Sequence, residues 1–526
     1  MESAKGRVGV FSPNDFREWV RTDNIDLMIG HEKLLTDFLR GEGYEVVRGG
    51  EGHGKMDSIA WNTALVREHV EHIVEGGADV LVLNQGSWTF PYDSRDAVQH
   101  FTDLKRREDP WCGPAALIFA YQDTQVPGMV AGMAVAGALR RVGIPYHLVY
   151  GRIDSDGAVR KRMRDILAFC DRRREASARA AAARDELRRQ KYVAFGGMSL
   201  KMCTTTADVD AWAKLFGISY EALDQSELTA RALRYVSWSG KAGESDPVAI
   251  SDARVAAGIE SLERHCVLDC SREKFRDLNK LTYQLSYYYA ACDLLEEYGG
   301  TFTGIKCQDE LSAHECTMCL ATAFLSCDFG PLGEAKRVVP CACENDMDSS
   351  LTQLMLSLLS GGKSAGFGDF RDVEDDTLAI VNCGQHPPAF FGWEEESAEE
   401  KLARTEFVGQ EVFYDAGGAA VRGRTGGGQV MTIARVAREN LRYFLVGTVL
   451  DTVDVDPREH ERYNFSWPII RGVTPISGEE LIALWPCNHL GFVYGDYTPH
   501  LVELASRLGM GYRVYDRNGV LHEGLS

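Results

Sequence analysis

The stretch "ADVLVLNQGSW" (78–88) decides the fold of the first part of the chain. Its leading residues form an apolar run that lacks the polar–apolar alternation of a half-exposed strand. Such a strand is buried on both faces, as strands are in a parallel sheet that helices cover. The polar residues from Asn84 to Trp88 then mark the carboxyl end of the strand, where open α/β sheets bind their ligands.

Four further apolar runs near the start of the chain are of the same kind: "RVGVF" (7–11), "YEVVR" (44–48), "ALIFAY" (116–121) and "YHLVYG" (146–151). Amphipathic stretches lie between them, and this alternation predicts a parallel sheet with helices on both faces. The first strand is followed by "SPNDF" and not by a glycine fingerprint. An NAD-dependent oxidoreductase therefore lacks local support.

We predict three domains, and the fold class is α/β with two Rossmann-like parallel-sheet domains followed by an antiparallel β-rich, barrel-like domain. The predicted boundaries are 1–170, 171–360 and 361–526. The second α/β unit opens at "KYVAFGG" (191–197), after an Arg/Ala-rich run that predicts a solvated connecting helix. Beyond it, short apolar strands separated by Gly-rich or polar turns indicate an antiparallel sheet or barrel.

The composition excludes some classes of partner. The chain has 526 residues, a formal net charge of −20 and a pI of about 5.2. An acidic surface disfavours nucleic acid and anionic membranes and favours small-molecule partners. The longest apolar stretch (126–139) is too short to span a bilayer. Fourteen scattered cysteines without a visible secretory signal predict reduced thiols and a cytoplasmic location.

Cysteine pairs offer one candidate metal site. Cys316, Cys319, Cys341 and Cys343 could bind a structural zinc ion. The second pair is spaced C-x-C, however, and the first pair lies in a helical pattern whose small apolar residues suit packing. The Gly-rich stretch 416–430 has strands on both sides, so it predicts a hairpin and not a phosphate-binding loop.

An acidic run, "CACENDMDSSLTQ" (341–353), lies where a strand turns into a helix. Acidic residues favour first helical turns, so Glu344, Asp346 and Asp348 could all serve as helix caps. A metal site is the other interpretation. We interpret Asp346 and Asp348 as structural caps and retain Glu344 as a candidate ligand.

Two later residues complete a possible ligand set with Glu344. Asp369 ends a short strand in "GFGDFRD", and His489 begins an apolar strand in "WPCNHLGFVYGD". Two carboxylates and an imidazole suit a divalent metal such as Mn²⁺ or Mg²⁺. From spacing alone, a cap, a turn residue and a core histidine remain open. His386, in "NCGQHPP", is either a support for this site or a turn residue.

These segments resemble the L-fucose isomerase group of the L-fucose/L-arabinose isomerase family. "VVPCACENDMDSSLTQLMLSLLSGG" is similar to the stretch that carries the family's glutamate ligand. "AGFGDFRDV" is similar to the strand with the aspartate ligand, and "PCNHLGFVYGD" to the segment with the histidine ligand. "KYVAFGGMSLKM" and "FTGIKCQDEL" resemble the entry strand and the substrate strand of the family's second domain.

The resemblance implies an intramolecular oxidoreductase of carbohydrate metabolism that interconverts an aldose such as L-fucose or D-arabinose and its ketose. It implies Mn²⁺, or Mg²⁺ or Co²⁺, held by Glu344, Asp369 and His489, with the two carboxylates as the acid/base pair. It further implies a homohexamer in which the first domain of one subunit closes the neighbour's site. Trp88 and Arg17 would contact the sugar from that neighbour.

The resemblance leaves the sugar open. Where the family commonly has Q-G-Q, this chain has Lys306, a cysteine and Gln308. Lys306, Gln308 and Asn488 would bind sugar hydroxyls. Lys306 with Arg422 and Arg424 could instead meet an anionic substituent, as in sulfoquinovose. A non-catalytic sugar-binding or regulatory protein on the same fold is the remaining alternative.

Overall fold

The computed structural model describes residues 5–113, 115–237, 248–410 and 415–524. The chain forms two compact units, one from Met1–Ala181 with Pro499–Ser526 and the other from Ala182–Thr498. None of the helices within the described ranges is both long enough and apolar enough to cross a membrane.

A parallel sheet of five strands is the centre of the first unit. The strands are β1 (Arg7–Phe11), β2 (Glu45–Arg48), β3 (Val80–Gln85), β4 (Ala115–Tyr121) and β5 (His147–Gly151). The helices are α1 (Glu18–Gly41), α2 (Thr63–Glu75), α3 (Pro91–Glu108), α4 (Gly128–Arg141) and α5 (Gly157–Leu187). All neighbouring strands are parallel, in the order β2-β1-β3-β4-β5. One apolar cluster contains Val10 and Met163 and another contains Phe11 and Val135, so both faces are covered as the sequence predicts.

A second parallel sheet opens the second unit. The strands of this part are β6 (Lys191–Phe195), β7 (Ser219–Leu223), β8 (Val236–Ser237), β9 (Ala249–Ile250), β10 (Val267–Asp269), β11 (Phe302–Ile305) and β12 (Cys341–Cys343). The helices are α6 (Val209–Leu215), α7 (Gln225–Ala232), α8 (Ala253–His265), α9 (Leu278–Tyr298), α10 (Glu310–His314), α11 (Cys319–Leu325) and α12 (Met347–Ser360). Four of these strands pair in the order β12-β11-β6-β7, all parallel. The second parallel-sheet domain of the prediction is therefore present.

An antiparallel barrel follows. The strands are β13 (Gly366–Glu374), β14 (Thr377–Val381), β15 (Glu406–Gly409), β16 (Ala419–Arg422), β17 (Val430–Glu439), β18 (Arg442–Val453), β19 (Ile469–Val473) and β20 (His489–Tyr494). The helices are α13 (Ala398–Ala403), α14 (Pro457–His460) and α15 (Gly478–Leu484). Six strands pair in the order β17-β20-β13-β14-β19-β18, and β17 also pairs with β18, which closes the ring. This closure removes exposed strand edges and confirms the barrel-like prediction. One of the short strands that the sequence predicts in this region is "EVFYDAGGAAV" (411–421), and its residues 411–414 lie outside the described residues.

Helix α12 links the second sheet to the barrel and is buried on almost every side. Its buried polar side chains therefore need hydrogen-bond partners. Its Thr352 hydroxyl accepts a hydrogen bond at 2.9 Å from the backbone N–H of Val436 on β17. A Cβ at Gly491 on β20 would lie 3.0 Å from Thr352 Cγ2, so the small residue permits this close approach.

The chain ends with α16 (Thr498–Leu508), β21 (Gly511–Tyr515) and the antiparallel partner β22 (Leu521–Gly524). Our sequence boundaries assign this segment to the third domain, whereas Pro499–Ser526 belongs to the first unit. Buried charges give the physical reason. Arg507 donates to Asp109 at 2.6 Å and to Ser177 at 2.7 Å, and Arg173 donates to Glu503 at 2.9 Å. The other predicted boundaries stay predictions.

Candidate functional site

The turn between β12 and α12 carries Glu344. Glu344 and Asn345 have φ angles of 61° and 51°, a left-handed conformation that side chains rarely adopt. Asn345 stabilises the turn, because its Nδ2 donates to the Gly196 carbonyl at 3.0 Å and its Oδ1 accepts from the Tyr192 hydroxyl at 2.7 Å. A Cβ at Gly304 would lie 2.8 Å from Asn345 Oδ1, so this packing requires glycine. Backbone strain of this kind clusters at functional sites.

The barrel brings Asp369 and His489 side by side, since they are register partners on β13 and β20. Asn488 precedes His489, and its Nδ2 donates to Asp369 Oδ1 at 3.2 Å. Asn382, just after β14, donates to Asp369 Oδ2 at 3.4 Å. Each oxygen of the Asp369 carboxylate is therefore held by one amide donor.

Glu344, Asp369 and His489 meet at one point in the second unit, although they are distant in sequence. His489 Nε2 lies 3.1 Å from Glu344 Oε2 and 3.4 Å from Asp369 Oδ1. Glu344 Oε2 is buried, and His489 Nε2 is its charged neighbour at this distance. One edge of the imidazole thus faces both carboxylates, and we call these three residues the trio.

Asp346 orients the imidazole of the trio from its other side. Its Oδ2 lies 2.6 Å from His489 Nδ1 and accepts from Arg435 Nη1 at 2.8 Å. The predicted cap is present too, because Asp346 Oδ1 accepts from the backbone N–H of Ser349 at 2.9 Å. Burial would raise the pKa of Asp346, but Arg435 and His489 outweigh burial and hold that pKa far below its usual value. A carboxylate on the distal nitrogen is the usual support of a metal-binding histidine.

The electrostatics of the trio follow from burial and charge. Burial raises the pKa of Glu344, although the ion pair with His489 acts in the opposite direction. Burial would lower the pKa of His489, but hydrogen bonds to Asp346, Asp369 and Glu344 outweigh it and hold this pKa well above its ordinary value. The carboxylates around His489 therefore stabilise a positive charge at this point.

The donor types and the spacing of the trio resemble those of a divalent-cation site. Adjacent ligands of an octahedral ion with bonds of about 2.1 Å lie about 3.0 Å apart, close to the observed 3.1 Å and 3.4 Å. Two carboxylates and an imidazole suit Mn²⁺ or Mg²⁺ better than a thiophilic ion. Within the described ranges, no group of three or more His, Cys, Asp or Glu side chains is arranged to hold a metal ion. A metal ion would therefore have to replace the direct ion pairs of the trio.

The substrate strand of the prediction lies next to Glu344. Ile305 at the end of β11 is the register partner of Cys343, so Lys306 and Gln308 follow β11 at the sheet edge where Glu344 stands. Lys306 Nζ forms an ion pair with Glu310 at 2.7 Å. The Gln308 carbonyl accepts from the Ser199 hydroxyl at 2.7 Å. Both predicted residues thus border the turn that carries Glu344.

Arg17 and Trp88 belong to the first unit. They follow β1 and β3, the neighbouring strands at which the order of the sheet reverses, where ligands bind in folds of this kind. The two loops meet through Phe16 and Phe90, whose ring centres are 5.1 Å apart. Arg17 Nε donates to Asp15 Oδ1 at 2.9 Å, and this hydrogen bond lowers the pKa of Asp15. The structure brings Arg17 and Trp88 to one edge of the first sheet.

His386 is a buried residue and not an exposed turn residue. Its ring lies edge-on to Phe492, with 5.1 Å between ring centres. Burial lowers the pKa of His386 to about 3, although the Val381 backbone and the Asp369 carboxylate favour its protonated form. His386 is therefore a neutral imidazole behind Asp369.

Three polar residues of the site lie outside the predicted set: Asn345, Asn382 and Arg435. The sequence does indicate a role for Arg435, because this residue interrupts the apolar strand "VMTIARVA". A buried arginine requires a buried acid as its partner. The sequence does not indicate a role for Asn345 or Asn382, because an isolated asparagine is common in a turn.

Comparisons with known proteins agree with this architecture. Residues 5–188 match the model of the L-fucose isomerase first N-terminal domain, and residues 380–515 match that of the L-fucose isomerase C-terminal domain. The chain is 23% identical over 464 residues to L-fucose isomerase of Escherichia coli O6:H1 strain CFT073, which covers 74% of this chain and 75% of that protein. His489 lies within the matched ranges, whereas Glu344 and Asp369 lie between them.

The fold and these matches define an aldose–ketose isomerase, an enzyme that interconverts an aldehyde sugar and its keto isomer. Within that class, the chain belongs to the L-fucose isomerase family.

Proposed function

We propose that this enzyme interconverts a neutral aldose of the L-fucose or D-arabinose kind and its ketose, with Mn²⁺ or another divalent cation held by Glu344, Asp369 and His489. The meeting of these three side chains carries the proposal, since His489 Nε2 lies within 3.4 Å of both carboxylates. Family membership supplies the reaction class, and the name of the bacterial relative suggests the kind of sugar.

The reaction moves a proton between C2 and C1 of the open-chain sugar. When bound, a divalent cation would polarise the carbonyl and stabilise the negative charge of the enediolate. Glu344 would accept the C2 proton and return it to C1, because burial raises the pKa of its carboxyl group and so favours its protonated form. Asp369, whose two oxygens each accept from an amide, would mainly hold the cation and would assist as the acid partner. Acid–base catalysis of this kind contributes about 10²–10⁴-fold.

The ion pairs of two candidate cations, Lys306 and Arg422, favour a neutral sugar over an anionic one. Lys306 is neutralised by Glu310 at 2.7 Å, and this hydrogen bond lowers the pKa of Glu310. Arg422 is likewise paired with Glu406. Lys306 and Arg422 already have carboxylate partners, so we expect them to bind a sulfonate weakly. Lys306, Gln308 and Asn488 would instead bind sugar hydroxyls.

The active assembly is proposed to be a cytoplasmic homohexamer in which the first unit of a neighbouring subunit closes the site. Arg17 and Trp88 would contact the sugar from that neighbour. Phe16 and Trp19 at the same edge are 57% and 70% exposed. Large exposed apolar side chains that lie together support a protein contact there.

Dialysis against EDTA, followed by assay of aldose-to-ketose conversion and return of Mn²⁺, tests the proposal. We expect activity to disappear and then return. Turnover that survives chelation would contradict the metal role. A panel of neutral and sulfonated aldoses separates the alternatives. A preference for sulfoquinovose would favour an isomerase of anionic sugars. Binding of a sugar without turnover would favour a non-catalytic sugar-binding protein.

A further inference from the structure

A small cavity lies beside the three-stranded sheet that β10, β15 and β16 form, and we call it the arginine cavity. Its volume is about 250 Å³, and it is lined by Val267, Ala403, Arg404, Glu406 and Arg424. Pockets for drug-sized ligands measure about 300–1,000 Å³, so this cavity has room for one small ligand. All of its lining residues belong to the second unit.

The arginine cavity is separate from the trio. Arg424 is bridged to Ile469 on β19. Ile469 pairs with Val381 on β14, and Val381 pairs in turn with Asp369 on β13. Three strand spacings of about 4.8 Å each therefore separate Arg424 from Asp369, which amounts to about 14 Å along the sheet. A small ligand held at Arg424 is therefore distinct from a metal ion or a sugar at the trio.

The charges of the arginine cavity leave one cation without a carboxylate. Glu406, the acid of the lining, is neutralised by Arg422, its register partner on β16. Arg404 is neutralised by Glu396, which accepts from its Nε at 3.0 Å and from its Nη2 at 2.7 Å. Arg424 is half-buried, and its guanidinium group forms no ion pair with any residue of the described ranges. The cavity therefore has one uncompensated positive charge.

The donors of the arginine cavity suit an oxyanion. The whole chain has a net charge of −20, so an anion is attracted only where positive charge is locally in excess. Arg424 provides this charge and a planar fork of N–H donors. Glu396 occupies only Nε and Nη2 of Arg404, so Nη1 can donate to a ligand as well. Two guanidinium groups on different segments favour an acceptor with more than two oxygens, which a phosphate group has and a carboxylate lacks.

We propose that the arginine cavity is a binding site for a phosphate group, with Arg424 as its charged partner and Arg404 as a second donor. Hydrogen bonds between guanidinium groups and phosphate oxygens are among the strong ones in proteins, because both partners are charged. The ligand is either inorganic phosphate or the phosphoryl group of a small metabolite. This site does not rest on the proposed function.

Calorimetric titration of the full-length protein with inorganic phosphate tests the proposal. Ionic strength is held constant, and EDTA is present so that no divalent cation can bind phosphate at the trio. We expect one phosphate per chain. Arg424→Gln should weaken binding by about 10–100-fold, which corresponds to the loss of a charge-assisted hydrogen bond. Arg424→Lys keeps the charge without the planar fork and should weaken binding less. Arg141→Gln is the matched control, because it removes the same charge from an exposed position in the first unit, and it should bind phosphate as the parent protein does.

Titration with glycerol 3-phosphate distinguishes the two sources of the phosphate group. Tighter binding than inorganic phosphate would indicate a phosphorylated metabolite, and weaker binding would indicate the free ion. No binding of either probe in EDTA, equally tight binding of acetate, or an Arg424→Gln variant that binds phosphate as the parent does would each overturn the proposal. Arg404→Gln provides a second variant with an expected loss of affinity if Arg424→Gln does not fold. Phosphate binding by a protein that shows no sugar turnover would leave this site standing and contradict the proposed function.

Discussion

The two carboxylates of the trio come from regions of different kinds. Glu344 stands on a strained turn at the edge of a parallel sheet, and its side chain is 12% exposed. Asp369 lies in the regular register of the barrel, is 32% exposed, and accepts amide hydrogen bonds on both oxygens. Desolvation favours the protonated form of a carboxyl group, whereas hydrogen-bond donors favour the anion. We therefore expect Glu344, at the sheet edge, to exchange the proton, and Asp369, in the barrel, mainly to hold the cation.

Glu344→Gln should produce the largest effect. The amide has the same shape but cannot accept the C2 proton, so we expect kcat to fall by about 10²–10⁴-fold at saturating Mn²⁺. Asp369→Asn is the matched variant from the barrel. It should increase the Mn²⁺ concentration needed for half-maximal rate more than it lowers kcat. Steady-state kinetics over a range of Mn²⁺ concentrations measures kcat and the half-maximal Mn²⁺ concentration. Equal losses of kcat in the two variants at saturating Mn²⁺ would contradict the different roles proposed for Glu344 and Asp369.

Asp346→Asn should have an intermediate effect, because Asp346 joins the two regions. The variant keeps a helix cap but loses the charge that orients His489, so we expect Mn²⁺ to bind about 10–100-fold more weakly. Loss of one partner from a buried ion pair with Arg435 destabilises by about 3–5 kcal/mol. Calorimetric titration is therefore made on protein whose circular dichroism shows it to be folded.

Asp348→Asn provides the control for that experiment. It changes an equally buried acid two residues away, which the described contacts connect to Trp212 and Arg438 and not to His489. Its Mn²⁺ affinity should equal that of the parent enzyme. A similar loss in both variants would show that Asp346 acts through helix stability and not through His489.

Apolar runs made the fold predictable from sequence. Strands such as β3 (Val80–Gln85) are buried on both faces, so their composition alone separates them from helices and turns. The sequence did not reveal which compact unit the closing segment belongs to, because its place depends on buried charges such as Arg507 with Asp109. Ion pairs between residues that are hundreds of positions apart leave no local pattern in the sequence.

The candidate site divides in the same way. Glu344, Asp369 and His489 were identified through quoted motifs, and the structure places them together. The same motif suggested only a cap for Asp346, since a cap is visible locally, whereas its contact with His489 spans 143 residues. Asn345 and Asn382 were not visible in the sequence, because their contacts are fixed by tertiary packing, whereas the place of Arg435 in an apolar strand did indicate a buried partner.

The smallest expected effect concerns Asp348, whose environment contrasts with that of Asp346 in the same helical turn. Both side chains are fully buried. Asp346 accepts from Arg435 at 2.8 Å, whereas Asp348 accepts from Trp212 Nε1 at 3.3 Å and lies 3.7 Å from Arg438. Burial consequently raises the pKa of Asp348 to about 7.

The sign of the pH effect follows from this pKa. An unfolded aspartate titrates near 3.9, so between about pH 4 and pH 7 the folded protein retains a proton that the unfolded chain has released. Stability therefore falls as pH rises through that window, by on the order of 4 kcal/mol for this group. The Asp348→Asn amide does not titrate, so its thermal unfolding midpoint should fall less between pH 5 and pH 7.5 than that of the parent enzyme, with all other titrating groups common to both. Parallel curves for the two proteins would show that Asp348 is already ionised in the fold, and that Arg438 and Arg435 stabilise its charge as fully as they do that of Asp346.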